Sequence, residues 1–244
     1  RIMVSAVQRA RRSIGALFGV QILTKVVNFG LSTLIVKFTD NKIFGLGAVP
    51  LALLLTTIQF LSRDGVRGAC RRIDVTSPTI SLPLKKQRIR HIVNLSWIAA
   101  LAGAFVFQPL GVSLLTYMGY QGISASQFNR AASAFAIAAV VELAAEPAFN
   151  LVITHEHLPI KAGVEALGVF IKASIILVGV VVFQMGPEVY ALAQMGYSLA
   201  QVAGYYIYIA ISGLGGGLSS VMPNFGTGPV GVSKLSFWFG SNSL

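Results

Sequence analysis

Six long apolar runs divide the chain, at 14–38, 43–61, 92–115, 131–154, 162–183 and 189–211. Each is apolar around its whole circumference, with neither the strict alternation of a strand nor the narrow stripe of a surface helix. A run of about 20 mostly apolar residues is what an α-helix needs to cross hydrocarbon, and a helix satisfies its own backbone groups there. A lipid-facing barrel would instead show alternating segments of about ten residues. The pattern predicts an all-α, polytopic membrane bundle of six transmembrane helices spanning 13–211. A basic segment, 1–12, precedes it. The region 212–244 is rich in Gly, Ser and Pro, lacks helical periodicity and reads as an irregular tail.

Composition agrees with this class. Of the 244 residues, 55% are hydrophobic and 11% are charged, where a soluble domain carries roughly a quarter charged residues. The net charge of +11 is concentrated in short bursts between the runs, without the basic–aromatic interleaving that nucleic acid requires. Nucleic acid is therefore excluded as the expected partner. Arg1, Arg9, Arg11 and Arg12 precede the first run. Arg63, Arg67, Arg71, Arg72, Lys85, Lys86, Arg88 and Arg90 fill the interval between the second and third. The next loop and the turn "QMGPE" are poor in base. The positive-inside bias then places the N-terminus and the basic interval in the cytosol. The chain opens on Arg1 rather than Met and is read as a fragment. Its first apolar run is too long for a cleavable signal and is read as a retained span.

Polar residues inside the runs are the candidates for function. The stretch "AIAAVVELAAEPAFNLVI" (136–153) carries Glu142 and Glu146, four residues apart and so on one helical face, followed by Pro147. A charged residue near mid-span costs roughly 2.5–3.5 kcal/mol on insertion scales. These carboxylates must therefore face a cavity, meet a cation on another helix or stay protonated. Pro147 removes a backbone donor and crowds the carbonyl of Leu143, so a kink is expected there. Lys25 and Asn28 in the first run, and Glu165 and Lys172 in the fifth, are further intramembrane polar groups, with Lys25 and Lys172 as the candidate cations. "FLSRDGVRGACRR" (60–72) sets Arg63 and Arg67 one turn apart at the cytosolic edge. That is either a phosphate headgroup site or a topogenic cluster without a ligand. "HEH" (155–157) reads as an interfacial loop, since a spacing of two does not make a metal face. Cys70 reads as a spectator thiol. No metal set, cofactor motif or catalytic constellation is expected, and the chain is read as a non-enzyme.

Several stretches, in order, resemble one family: "GVQILTKVVNFGLSTLIVKF" (19–38), "FLSRDGVRGACRR", "VVELAAEPAFNL" (140–151) and "IKAGVEALGVFIKAS" (160–174). Together they are similar to the Rft family of endoplasmic-reticulum membrane proteins, itself similar to the multidrug/oligosaccharidyl-lipid/polysaccharide exporter superfamily. Gly68 stands where the family pattern has a second Arg. The resemblance implies one lobe of a two-lobed exporter-like fold in the endoplasmic-reticulum membrane. It implies movement, or assisted movement, of a dolichol-diphosphate-linked oligosaccharide from the cytosolic to the lumenal leaflet for protein N-glycosylation, among other proteins of that pathway. On this view Arg63 and Arg67 attract the diphosphate, and Lys25 and Lys172 relay it. Asn28, Glu142, Glu146 and Glu165 line the cavity, the carboxylates pairing with cations or sugar hydroxyls. Two alternatives stand beside it: a cation-coupled small-molecule antiporter, and a non-transporting scaffold of the glycosylation machinery.

Overall fold

The computed structural model describes residues 47–77, 80–119 and 124–224, together with isolated positions between 19 and 45. The described elements are all helical. We label five helices: α1 (47–71), α2 (Leu82–Met118), α3 (Ala125–Thr154), α4 (Leu158–Val181) and α5 (Glu188–Ser212). They overlap the second to sixth apolar runs, while the basic N-terminal segment and most of the first run lie outside the described residues. Among the described residues, three helices (α2, α3 and α4) are long and apolar enough to cross a membrane. The fifth, α5, is 25 residues long but carries Gln194, Ser198 and Gln201. The helix α1 continues through the "FLSRD" turn to Arg71, well past the end of the second apolar run at 61.

Most irregularities in these helices lie at prolines; the widened turn Phe60–Asp64, which carries Arg63, does not. Pro50 lies in a widened turn, Gly47–Leu51. Another widened turn, Gly103–Phe107, lies just ahead of Pro109. Such turns loosen the backbone ladder where a proline ring presses on it and its missing N–H leaves a gap. In α3 the helix is interrupted at Ala144 and Ala145. The Ala144 and Ala145 N–H groups make tight bonds to Val141 O and Glu142 O, at 3.1 and 3.0 Å. A new helical segment then starts at Glu146 with Pro147 in its first turn, where a missing N–H costs little. The break expected from Pro147 is thus a restart of the helix.

The chain runs back and forth between two apolar clusters. The first contains Leu51, Leu54 and Ile58 of α1, Ala100 and Leu115 of α2, Phe128 to Leu143 of α3, Ile176 of α4, and Val189 and Ala193 of α5. The second contains Cys70, Ile89 and Ile92, Ala145 to Val152 of α3, and Tyr205 and Ile209 of α5, with Val164 of α4 packed on it. Successive helices enter the clusters in opposite order, which makes the bundle a serpentine. At its centre is α3, whose apolar window is 72% buried against 22% for α2 and for α4. Its many alanines let four neighbours approach closely. At Gly103 a Cβ would fall 2.2 Å from Leu143 Cδ1 and 3.1 Å from the Ser62 Cβ, so α1, α2 and α3 meet there with no room for a side chain.

The start of the C-terminal region also packs on the bundle. Two short turns, Leu214–Gly216 and Leu218–Ser220, follow Gly213, which caps α5 in the left-handed region at φ 64°. Val221 is fully buried and its carbonyl accepts from Trp97 Nε1 at 2.8 Å. Asn94 forms a reciprocal pair with the Asn224 backbone at 2.9 and 3.0 Å.

Gly103→Val is expected to destabilise the bundle by about 1–3 kcal/mol by forcing three helices apart. Gly68→Ala is exposed on α1 with nothing near its Cβ position, and should be neutral or stabilise by up to about 1 kcal/mol. Thermal unfolding in detergent measures both.

Candidate functional site: a charged belt between two apolar clusters

Between the two clusters every described helix of the bundle contributes polar side chains. Gln59, Ser62, Arg63 and Arg67 come from α1, Ser96 from α2, Glu142, Glu146 and Asn150 from α3, Lys172 from α4, and Gln194, Ser198 and Gln201 from α5. The helices position them by periodicity. On α1 and α3 the charged residues recur every four positions, so each helix presents a two-rung ladder on one face.

The two ladders are joined. Arg63 Nη1 donates to Glu142 Oε1 at 2.9 Å and approaches Glu146 Oε1 at 3.4 Å. Arg67 grips Glu146 with two bonds, Nε to Oε2 at 2.9 Å and Nη2 to Oε1 at 2.6 Å. Residue 63 meets 142 and 67 meets 146, so α1 and α3 run the same way here, as two helices separated by one return crossing must. The network continues sideways. Gln194 Nε2 donates to Glu142 Oε2 at 3.1 Å, and Lys172 Nζ donates to Gln194 Oε1 at 2.8 Å. Arg63 Nη2 also donates to Gln59 Oε1 at 2.7 Å. The Arg67 guanidinium lies over the Phe149 ring, 3.8 Å from its centroid. Two guanidiniums therefore neutralise two carboxylates whose side chains are only 8% and 2% exposed.

The break in α3 has an electrostatic consequence. It makes Glu146 the first residue of a helical segment, where the exposed N–H groups favour negative charge. Tyr206 Oη donates to the Ala144 carbonyl within the break at 3.1 Å, and Ser198 Oγ donates to Ala138 O at 2.8 Å. These bonds tie α5 to α3 on both sides of Glu142. Beside the ladder lies a cleft of about 310 Å³, including its open mouth, walled by the charged residues with Glu165, Tyr197, Gln201 and Tyr205.

The structure thus changes the expected pairing. The cations that meet Glu142 and Glu146 are Arg63 and Arg67, not Lys25 or a direct contact from Lys172. Lys172 reaches Glu142 through Gln194. Lys25 sits on helical backbone with an exposed side chain, and Asn28 lies outside the described residues. Glu165 pairs with Lys161 at 3.4 Å and not with Lys172, while still facing the cleft. Gln59, Gln194, Gln201 and the tyrosines were missed by sequence reasoning. The signal was present for α5, where Gln194, Ser198 and Gln201 recur at helical spacing in an otherwise apolar run.

Other candidates resolve as structural contacts. His155 Nδ1 bonds the Leu151 carbonyl at 2.9 Å, and burial holds its imidazole below the usual histidine range. His157 bonds the Tyr208 hydroxyl. Cys70 is buried, and burial pushes its thiol up to about 11, so it has no thiolate character at neutral pH although Arg71 and Arg72 follow it in the chain.

The described residues define an all-helical bundle, with helices long and apolar enough to cross a membrane, that buries a charge-balanced network at its centre. The chain belongs to the Rft family: the model for the Rft protein matches residues 9–214. It is similar to the Man(5)GlcNAc(2)-PP-dolichol translocation protein RFT1 of Xenopus tropicalis, 30% identical over 194 residues, which are 78% of this chain and 34% of that protein. It is also 28% identical over 199 residues to the protein of the same name from Dictyostelium discoideum, covering 80% of this chain and 36% of the relative. The chain spans about a third of the length of these curated relatives. No solved structure matches it significantly.

Two outcomes are expected. Glu146→Gln leaves Arg67 and Arg63 short of a carboxylate and should destabilise by about 3–5 kcal/mol. The double variant with Arg67→Met should lose much less than the sum of the single losses, as a double-mutant cycle by thermal unfolding reads. Cys70 should label with maleimide at neutral pH only after unfolding.

Proposed function

We propose that this chain is the N-terminal lobe of a carrier that moves, or assists the movement of, a dolichol-diphosphate-linked oligosaccharide from the cytosolic to the lumenal leaflet of the endoplasmic reticulum. Six spans within 13–211 form the lobe, the basic 1–12 segment lies in the cytosol and 212–244 is a Gly/Ser/Pro-rich irregular tail. Family membership and the relatives' names support the substrate class. The observation that carries the mechanism is the belt: ionised and amide groups from four helices, gathered beside a cleft at one level of an otherwise apolar bundle.

A sugar headgroup loses many water hydrogen bonds in hydrocarbon, and a diphosphate cannot cross unpaired. A polar seam replaces those partners while the lipid tail stays outside. Arg63, Arg67, Lys25 and Lys172 are its headgroup contacts, and Asn28, Glu142, Glu146 and Glu165 its polar lining. No catalytic role is assigned to the chain. A cation-coupled antiporter would need a carboxylate free to titrate. The arginine partners of Glu142 and Glu146 speak against that alternative.

Cells depleted of the complete protein carrying this chain are expected to accumulate the lipid-linked oligosaccharide and to under-glycosylate secreted proteins. Wild-type protein should restore both, and Glu142→Gln with Glu146→Gln should restore neither fully. Full restoration by that double variant would remove the belt from the mechanism.

A further inference from the structure

The outward side of α2 changes character along its length. Lys86, Arg90, half-buried Asn94, Ile98, Leu101 and Phe105 follow one another at spacings of three and four, so they share one face. The first two are exposed bases, and the last three are exposed apolar side chains. The 37 residues of α2 extend about 55 Å as a helix, well beyond about 30 Å of hydrocarbon. Because the face is apolar from Ile98 onwards, the excess length at the basic start lies among lipid headgroups.

Two contacts bring the end of α1 to the same level. Cys70 Sγ lies 4.0 Å from the Ile92 carbonyl oxygen, and Arg88 Nη1 donates to Asp74 O at 2.6 Å. Residues 70–74 therefore pass beside 88–92, and Arg71 and Arg72 are exposed there. The Asp74 carboxylate is occupied by its own turn, where Oδ1 accepts from the Thr76 and Ser77 N–H groups at 2.9 and 3.1 Å. Among the described residues, none of Arg71, Arg72, Lys86 and Arg90 forms an ion pair. Orienting the chain in a membrane requires only that bases fill this interval. It does not require two of them to continue an apolar stripe. A phospholipid has that layout, with a phosphate at headgroup level and acyl chains below it.

We propose that this face binds an anionic phospholipid of the surrounding leaflet. Lys86 and Arg90, with Arg71 and Arg72 beside them, hold its headgroup, and its chains lie along Ile98, Leu101 and Phe105. Clustered bases next to a membrane span attract anionic lipid in this way. The inference goes beyond the glycolipid reading and does not depend on it.

The complete protein carrying this chain, purified in detergent, is offered phosphatidylserine and phosphatidylcholine in equal amounts, and native mass spectrometry counts the lipids it retains. Phosphatidylserine should be favoured about fivefold or more. Lys86→Gln with Arg90→Gln should lower that preference by about threefold or more, and so should Arg71→Gln with Arg72→Gln. One pair carries the comparison should the other disturb insertion. Arg130→Gln, on α3 between Phe128 and Ala131 of the first apolar cluster, should leave it unchanged. Absence of a preference in the wild-type protein, or a preference that survives both pairs of substitutions, would overturn the proposal. So would displacement of bound phosphatidylserine by an equal amount of dolichyl diphosphate, which would give the face to the glycolipid's own diphosphate. Every arm reads lipid retention rather than glycolipid movement, so failure here leaves the function proposed above standing.

Discussion

Two carboxylates on the most buried helix of an apolar bundle need cations beside them, and that requirement organises the rest of the structure. Glu142 and Glu146 sit on α3, the helix that every other described helix of the bundle packs around. Their charge is met by Arg63 and Arg67 at 2.6–2.9 Å. To bring those arginines into place, α1 must continue as helix to Arg71 and lie alongside α3 in the same direction. Gly103 must yield its side chain so that α2 can pass close to both. The buried pairs contribute little net stability, because desolvation offsets much of the attraction. Their main effect is on register, since a slip of one turn in either ladder would leave a charge alone in the core.

The second organising feature is the restart of α3. An uninterrupted helix would bury Glu146 mid-segment, with only Arg63 and Arg67 to stabilise it. Starting a new segment at Glu146 adds the favourable end of a helix to the same carboxylate, and Pro147 fits that first turn without loss. The break also exposes the Ala144 carbonyl to Tyr206, which fastens α5 across it. Backbone, side-chain charge and interhelix hydrogen bonding therefore converge within six residues, and the cleft opens beside them.

Much of this was legible in the sequence because the signals are local. Apolar runs of membrane length gave the helices, and Pro147 gave the break. The four-residue spacing of Glu142 and Glu146 marked a polar face inside the bundle. The identity of the partners was not legible for a physical reason: Arg63 and Arg67 lie 79 positions away, beyond the apparent end of a hydrophobic run. Hydropathy assigns such residues to the water boundary. It cannot register that an arginine with a matched carboxylate re-enters the bundle as part of the helix. Two ladders of opposite sign and equal spacing were the one available clue. Gln194, Ser198 and Gln201 were passed over because neutral amides and hydroxyls scarcely alter a hydropathy profile. The early part of the tail was read as irregular, and its backbone largely is, but Val221 is anchored by Trp97, a contact no composition reveals.

The account stands on ionised Glu142 and Glu146 held by arginine inside the bundle. Infrared difference spectra of the membrane-reconstituted protein, with isotope-labelled glutamate and with Glu142→Gln and Glu146→Gln as references, read that state directly. Carboxylate bands at neutral pH that disappear in the two variants are the expected result. A protonated carboxylic-acid carbonyl band assigned to either residue would contradict it.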